Sequence, residues 1–230
     1  MLVLFSILAV LAQPGAQQAP DPAESGPVVV ELFTSQGCPL CPDANNLLEE
    51  LDAYGGVIAI AYGVGWWDVY GWRDEFARPE FAERQTAYVE AGEAMRVFTP
   101  HYVINGSPEK MRFSPEAVRA AVVGAEPLDP HIRLADGAVV LDGPARETPA
   151  RLWRVDYRPG AVSRRIEGGA NAGRTMRHFN MATGLAPLGD WAGGEMRIAL
   201  EPPEDGEACA VLVQDGPGGP IIAAAAIEGG

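Results

Sequence analysis

Between an apolar run at residues 28–33 and an amphipathic segment at 42–54 stands a pair of cysteines two residues apart, Cys38-Pro39-Leu40-Cys41. Val28, Val29, Val30, Leu32 and Phe33 make the first run β-branched and aromatic. It is bounded by Gly26-Pro27 and by Thr34-Ser35-Gln36-Gly37, and it is too short for a helix, so it reads as a buried strand. In the following segment Leu47, Leu48 and Leu51 recur at helical spacing, Asp43, Asn46, Glu49, Glu50 and Asp52 take the other side, and Gly55-Gly56 ends it. A second continuous apolar run at 57–62 reads as another buried strand. Strand, cysteine pair, helix, strand is the opening of an α/β fold, with both cysteines at the start of a helix.

Further along, Trp66, Trp67, Tyr70 and Trp72 crowd a Gly-rich stretch, either as core beneath a covering helix or as the wall of an apolar groove. Phe81, Ala82, Gln85, Tyr88 and Val89 give residues 79–93 one helical face. Residues 97–98 and 102–104 flank Thr99-Pro100-His101, Asn105-Gly106 is a hairpin signal ahead of a weaker strand at 110–113, and Ser114-Pro115 caps a helix to about residue 123. Beyond Gly124 the character changes. Strands are expected at 131–141, 152–157, 196–200, 208–214 and 221–226, and Trp153, Val155 and Tyr157 alternate with Arg154, Asp156 and Arg158 as in a half-buried strand. The expected organisation is a first domain over 27–126 and a β-rich region over 127–230, with the boundary near 126–130.

Residues 2–12 are apolar apart from Ser6 and lead into a Pro-, Gly-, Ala- and Gln-rich stretch, so 1–26 reads as a signal peptide and linker. The expected location is therefore the periplasm or outside the cell, without stable membrane insertion once the signal is removed. There a close cysteine pair holds a disulfide for long periods. Seventeen basic residues against 31 acidic give a net charge of −14, which argues against a nucleic-acid partner.

At a helix start, free backbone N–H groups and the helix dipole favour a thiolate on the first cysteine. Cys38 is then the attacking sulfur and Cys41 the resolving one. Half a zinc site would need a second ligand pair, and only Cys209, His101, His131 and His178 remain, well separated. A structural 38–41 disulfide that caps the helix stays open as an alternative. Glu31 is a candidate buried carboxylate that passes a proton to Cys41, or else an outward-facing strand residue. Asp68 and Asp74 read as solvated turn groups or proton acceptors, Asn171 to Arg174 as a clamp between regions or a carboxylate site, and Cys209 as a buried thiol.

The order strand, C-x-x-C, helix, strand, helix, Thr-Pro, hairpin, helix resembles the thioredoxin fold over residues 27–124. That resemblance implies that Pro100 is a cis-proline lying against the cysteine pair and that Thr99 offers backbone groups to a bound polypeptide. A closer resemblance is to an exported bacterial family catalogued as domain of unknown function 1223. It is carried by Val30-Glu31-Leu32-Phe33-Thr34-Ser35-Gln36-Gly37-Cys38, Trp67-Asp68, Gly71-Trp72, Asp74, Thr99-Pro100 and Asn171-Ala172-Gly173-Arg174. The chain departs from that pattern at Gly63, Gly65 and Gly169-Ala170. Together these imply an α/β, thioredoxin-like domain with a β-rich C-terminal region. The expected activity is thiol–disulfide exchange with thiols or disulfides of exported proteins, using Cys38, Cys41, Thr99 and Pro100 and no metal or organic cofactor. The alternative is a non-catalytic binding module stapled by the 38–41 bridge.

Overall fold

The computed structural model describes residues 26–92, 96–108, 113–128 and 132–228. All but the last residue of the signal peptide and linker expected over 1–26, His131 and most of the strand expected at 110–113 lie outside them. The protein is α/β with a β-rich C-terminal region. In chain order the first half contains β1 (Val28–Thr34), α1 (Cys41–Asp52), β2 (Val57–Gly63), α2 (Pro79–Ala91), β3 (His101–Ile104), β4 (Ser107–Pro108) and α3 (Pro115–Val123). The second half contains β5 (Ile132–Ala135), β6 (Ala138–Leu141), β7 (Ala150–Arg165), β8 (Thr175–Trp191), β9 (Met196–Ala199), β10 (Ala208–Gln214) and β11 (Ile221–Glu228).

Eight strands form one mixed sheet in the order β11-β10-β7-β8-β2-β1-β3-β4, and β5-β6-β9 form a second, antiparallel sheet. The large sheet crosses the 126–130 stretch through a parallel contact of β2 with β8 at Ala61 and Met181. β1 is central, parallel to β2 and antiparallel to β3, so its side chains are buried on both faces, as its continuous apolar run requires. Val30 and Leu32 pack under Leu47, Leu48 and Leu51 of α1 and Val118 and Val122 of α3. Val29 and Phe33 face the other way, towards Phe81 and Tyr88 of α2, and this core runs on without a break to Val155, Tyr157 and Leu212. The small sheet covers the far half of the large one through Ile132, Val139 and Leu141 against Leu152, Val211 and Val213.

Two departures from expectation matter for the site. The strand expected at 152–157 lies in the first half of a 16-residue strand, and its 17-residue partner β8, which contains Gly184, Pro187 and Gly189, was not anticipated. Pro159-Gly160 does not end β7. Both residues are accommodated opposite the single residue Asn180 in a bulge, where Asn180 takes φ 45° and its Oδ1 accepts from Gly160 N at 2.8 Å. The β7–β8 ribbon therefore continues past the sheet to the cysteines. Residues 97–98 are loop, and the 65–70 stretch is a 3₁₀ helix.

Glu31 is fully buried on the α2 face of β1 and is held by Arg84 of α2 at 2.7 and 3.2 Å, with the Tyr88 hydroxyl as a further donor. Arg84 also reaches Gln214 of β10 at 3.3 Å, so one guanidinium joins strands from both halves of the chain. Because α1 lies on the opposite face, Glu31 is not aimed at Cys41, and the proton-transfer role considered for it is not supported by this geometry. Removing one member of a buried ion pair strands the other charge. Arg84→Met should lower unfolding free energy by about 3–5 kcal/mol in urea titrations, and the double variant Glu31→Gln/Arg84→Met should recover much of that loss. An undiminished loss in the double variant would assign the effect to packing instead of charge.

Candidate functional site

The loop after β1 turns on a hydrogen bond from Cys38 N to Ser35 O (3.1 Å), and Cys41 N donates to Cys38 O (3.2 Å) as α1 begins. Pro42 sits in the first helical turn, where a missing N–H costs no helical bond. Both cysteines are free thiols and both are buried, Cys38 with only 1 % of its surface exposed. They form a small cluster with Ile166 and Met176 of the β7–β8 ribbon, against which Trp67 and Trp72 pack.

The Cys41 thiol, the Thr99 hydroxyl and the backbone N–H groups of Leu40 and Cys41 all favour a charge on the Cys38 sulfur. The Cys41 thiol is the strongest of these influences. Against the opposing effect of burial, the donors together hold the Cys38 thiol down at about 7. Cys41 is driven the opposite way. Burial and the neighbouring Cys38 charge raise it well above the usual thiol range, while the Thr34 hydroxyl and Ser35 N, the latter at 3.4 Å, offset this only in part. Thr34 is itself oriented by Asn45, whose amide donates to Thr34 Oγ1 (2.8 Å) and to Cys41 O (2.9 Å).

Thr99 and Pro100 arrive from the start of β3, Pro100 buried and joined to Thr99 through a cis peptide bond. The fold thus brings Cys38 and Cys41 together and ties Thr99 to the same cluster through Trp67, whose Nε1 donates to Thr99 Oγ1 at 2.8 Å, with Pro100 the next residue in the chain. Of the aromatic cluster, Trp67 and Trp72 are half-buried beside the cysteines, and Trp66, Val69 and Tyr70 are exposed, the last two by 82 and 68 %. Leu40, between the two cysteines in sequence, is exposed as well.

The loop is held by residues distant in sequence. Asn171, at the tip of the β7–β8 ribbon, donates to Gln36 O and Cys38 O, both at 2.8 Å, and accepts from Arg174 at 2.9 Å, so the 171–174 segment acts as a clamp. Trp72 Nε1 donates to Gln36 Oε1 (2.8 Å), and Gln36 N donates to Asp74 (2.7 Å). Gly63 lets the backbone at 76–77 close on β2: a Cβ there would fall 2.6 Å from Phe76 carbonyl atoms. Gln36, Thr34, Asn45, Ile166 and Met176 were not singled out from the sequence. Asn45 carried a readable signal, a polar residue four positions after Cys41 on the buried stripe of α1. Cys209 lies apart, in the core between the two sheets, where burial pushes its thiol up to about 11. Among the described residues no three His, Cys, Asp or Glu side chains converge as metal ligands would.

The family model for proteins of unknown function DUF1223 matches residues 29–214, and the chain belongs to that family. Its structure is similar to the crystal structure of protein AGR_C_4864 from Agrobacterium tumefaciens. The identity is 26 %, 90 % of this chain and 96 % of that one are covered, and the TM-score is 0.68. It is also similar in fold to HBP35 of Porphyromonas gingivalis, at 16 % identity, with 89 % and 76 % covered and a TM-score of 0.60. No curated protein sequence matches the chain.

Asp74 is buried, and desolvation raises its carboxyl to about 6 despite the N–H groups of Gln36 and Phe76 that it accepts. Between about pH 4 and 6 the folded protein therefore keeps a proton that the unfolded chain has lost, so this group's contribution to stability falls as pH rises through that window. Urea unfolding should show the protein losing about 2 kcal/mol relative to its Asp74→Asn variant between pH 4 and 7. A pH-independent difference would place Asp74 in solvent.

Proposed function

We propose that the protein is a thiol–disulfide oxidoreductase with a thioredoxin-like site, acting on thiols or disulfides of proteins in an oxidising, extracytoplasmic compartment. The observation that carries this reading is two free, buried thiols three residues apart at the start of α1, in surroundings whose donors favour a charge on Cys38 and a proton on Cys41. A disulfide sulfur is a weak, neutral acceptor and gains little from such donors, whereas a thiolate gains much. A bridge serving only as a staple has no use for them.

In the reducing direction the Cys38 thiolate attacks one sulfur of a partner disulfide. That disulfide breaks, its other sulfur leaves as a thiolate and takes a proton, and a mixed disulfide forms at Cys38. Cys41 then gives up its proton and attacks the Cys38 sulfur. The partner leaves as its second thiolate, and the two electrons of the Cys38–Cys41 dithiol have passed to the partner. The oxidising direction is the reverse. Because Cys38 is buried and Trp67 and Trp72 pack against it, a partner sulfur reaches it past these indoles.

In a Cys209→Ala background the pair should equilibrate with glutathione buffers within about −180 to −300 mV, read by alkylation and mass. A Cys41→Ala variant expressed with an export signal should accumulate mixed disulfides at Cys38. A pair that stays oxidised at the most reducing setting would make the bridge a staple, with the function elsewhere on the binding surface.

A further inference from the structure

We infer that the cleft between α2 and the β10-β7-β8 part of the large sheet is a binding site for a small apolar amine: an organic cation with an apolar body and a neutral hydrogen-bond acceptor at its far end. The inference goes beyond the exchange reading and does not depend on it. The cleft lies on the face of the sheet opposite α1 and shares no residue with the cysteine cluster.

The core beneath α2 stops short at this corner. Val155 and Tyr157 of β7 are buried in it, whereas Trp153, next along the same strand face, is only half-buried, with Pro187 opposite it across the β7–β8 ladder. Trp153, Leu185, Pro187 and Pro217 wall a cavity of about 440 Å³, with Ala87 on its helix side. Small-molecule sites occupy roughly 300–1,000 Å³ and favour the seams between structural units. This seam joins α2 of the first half of the chain to β7, β8 and β10 of the second. Its walls are fixed: Gly218 takes φ 65° so close to α2 that a Cβ there would collide with Ala87 O, and Gln214 Nε2 ties the same turn by donating to Gly219 O (2.8 Å).

The polar groups on the wall divide by depth. At the buried end is Arg84, its side chain only 3 % exposed. Of the five guanidinium N–H groups, three go to Glu31 and the Tyr88 hydroxyl and one goes from Nη1 to Gln214 (3.3 Å), which leaves one N–H of Nη1 without a partner among the described residues. Trp153 adds a second unspent donor. Trp66, Trp67, Trp72 and Trp191 each donate their indole N–H within the protein, and Trp153 alone of the five tryptophans does not. A neutral acceptor suits these donors, because Glu31 already balances the charge of Arg84. At the open end stand Glu80, half-buried, and Glu83, exposed. Arg151, the other cation on the wall, is matched by Asp190, so among the described residues the two glutamates face the cleft without a countercharge. They attract an ammonium group and repel a carboxylate.

The test is a titration of the isotope-labelled protein with O-methyltyramine at physiological salt, followed by NMR through the indole N–H resonances, the Trp153 signal being the one lost in Trp153→Phe. This probe joins an ammonium group to an aromatic ring and an ether oxygen. It should move the Trp153 resonance with a Kd of about 1 mM. Phenethylamine, which lacks the ether, should bind about fivefold more weakly, and para-methoxyphenylpropionate, with a carboxylate in place of the ammonium, should leave the resonance unmoved. Glu80→Gln/Glu83→Gln should weaken the amine by about fivefold. Ala87→Leu, which fills the cavity and keeps every charge, should abolish binding. A Trp153 signal that ignores the amine, a carboxylate that binds as well as the amine, or an Ala87→Leu protein that binds like the parent would overturn the inference. So would shifts spread over the acidic surface, the mark of attraction to the net charge of −14 alone. The amine and carboxylate comparison uses the unaltered protein and stands whatever the variants do to folding. Since no cysteine takes part, a failed glutathione equilibration would sink the exchange reading and leave this site untouched.

Discussion

The Asn171 carboxamide donates to two carbonyls more than 130 residues earlier in the chain, those of Gln36 and Cys38, and through these bonds the β-rich half completes the cysteine site. A loop that presents a reactive cysteine exposes backbone acceptors that the following helix cannot satisfy. Buried and unpaired, each would cost free energy. The tip of the β7–β8 ribbon supplies the donors, and Ile166 and Met176 bring apolar surface with them. Cys38 and Cys41 therefore sit between an α/β half that positions them and a β-rich half that closes over them.

The two sulfurs differ by environment, not by chemistry. Cys38 lies ahead of the first turn of α1, within reach of N–H groups that a helix leaves free. Cys41 is one turn further in, covered completely, and the charge on its neighbour discourages a second. One thiolate and one thiol, side by side, follow from a displacement of three residues along a helix start. The far face of the sheet uses the opposite solution for buried polarity: Glu31 and Arg84 are both charged and neutralise one another.

Much of this was legible from local pattern. The strand, cysteine pair, helix and strand of residues 28–63 are set by short-range periodicity and by Gly and Pro punctuation, and the helices at 79–91 and 115–123 likewise. What escaped was non-local. Pro159-Gly160 has turn composition, and only pairing with β8 turns it into a bulge. Glu31 looked like a polar interruption in an apolar run because its partner is 53 residues away. Trp67 was readable as core or as groove, and its indole bond to Thr99 depends on how the 65–70 segment meets the start of β3. The cysteines themselves were visible; the shell that governs them was assembled by the fold.

The groups that favour a charge on Cys38 also carry a thermodynamic sign. In the exchange we propose, donors that favour the thiolate stabilise the reduced pair and gain little from the disulfide, so they shift the equilibrium toward the dithiol. Burial of Cys41 acts on the other partner by keeping its proton in place, which leaves the reduced site with one negative charge instead of two. A single charge on Cys38 is tolerable where two adjacent charges on buried sulfurs would not be. Because its surroundings hold the Cys38 thiol at about 7, protonation as pH falls through neutrality removes that charge, and with it, in the exchange we propose, the attacking sulfur.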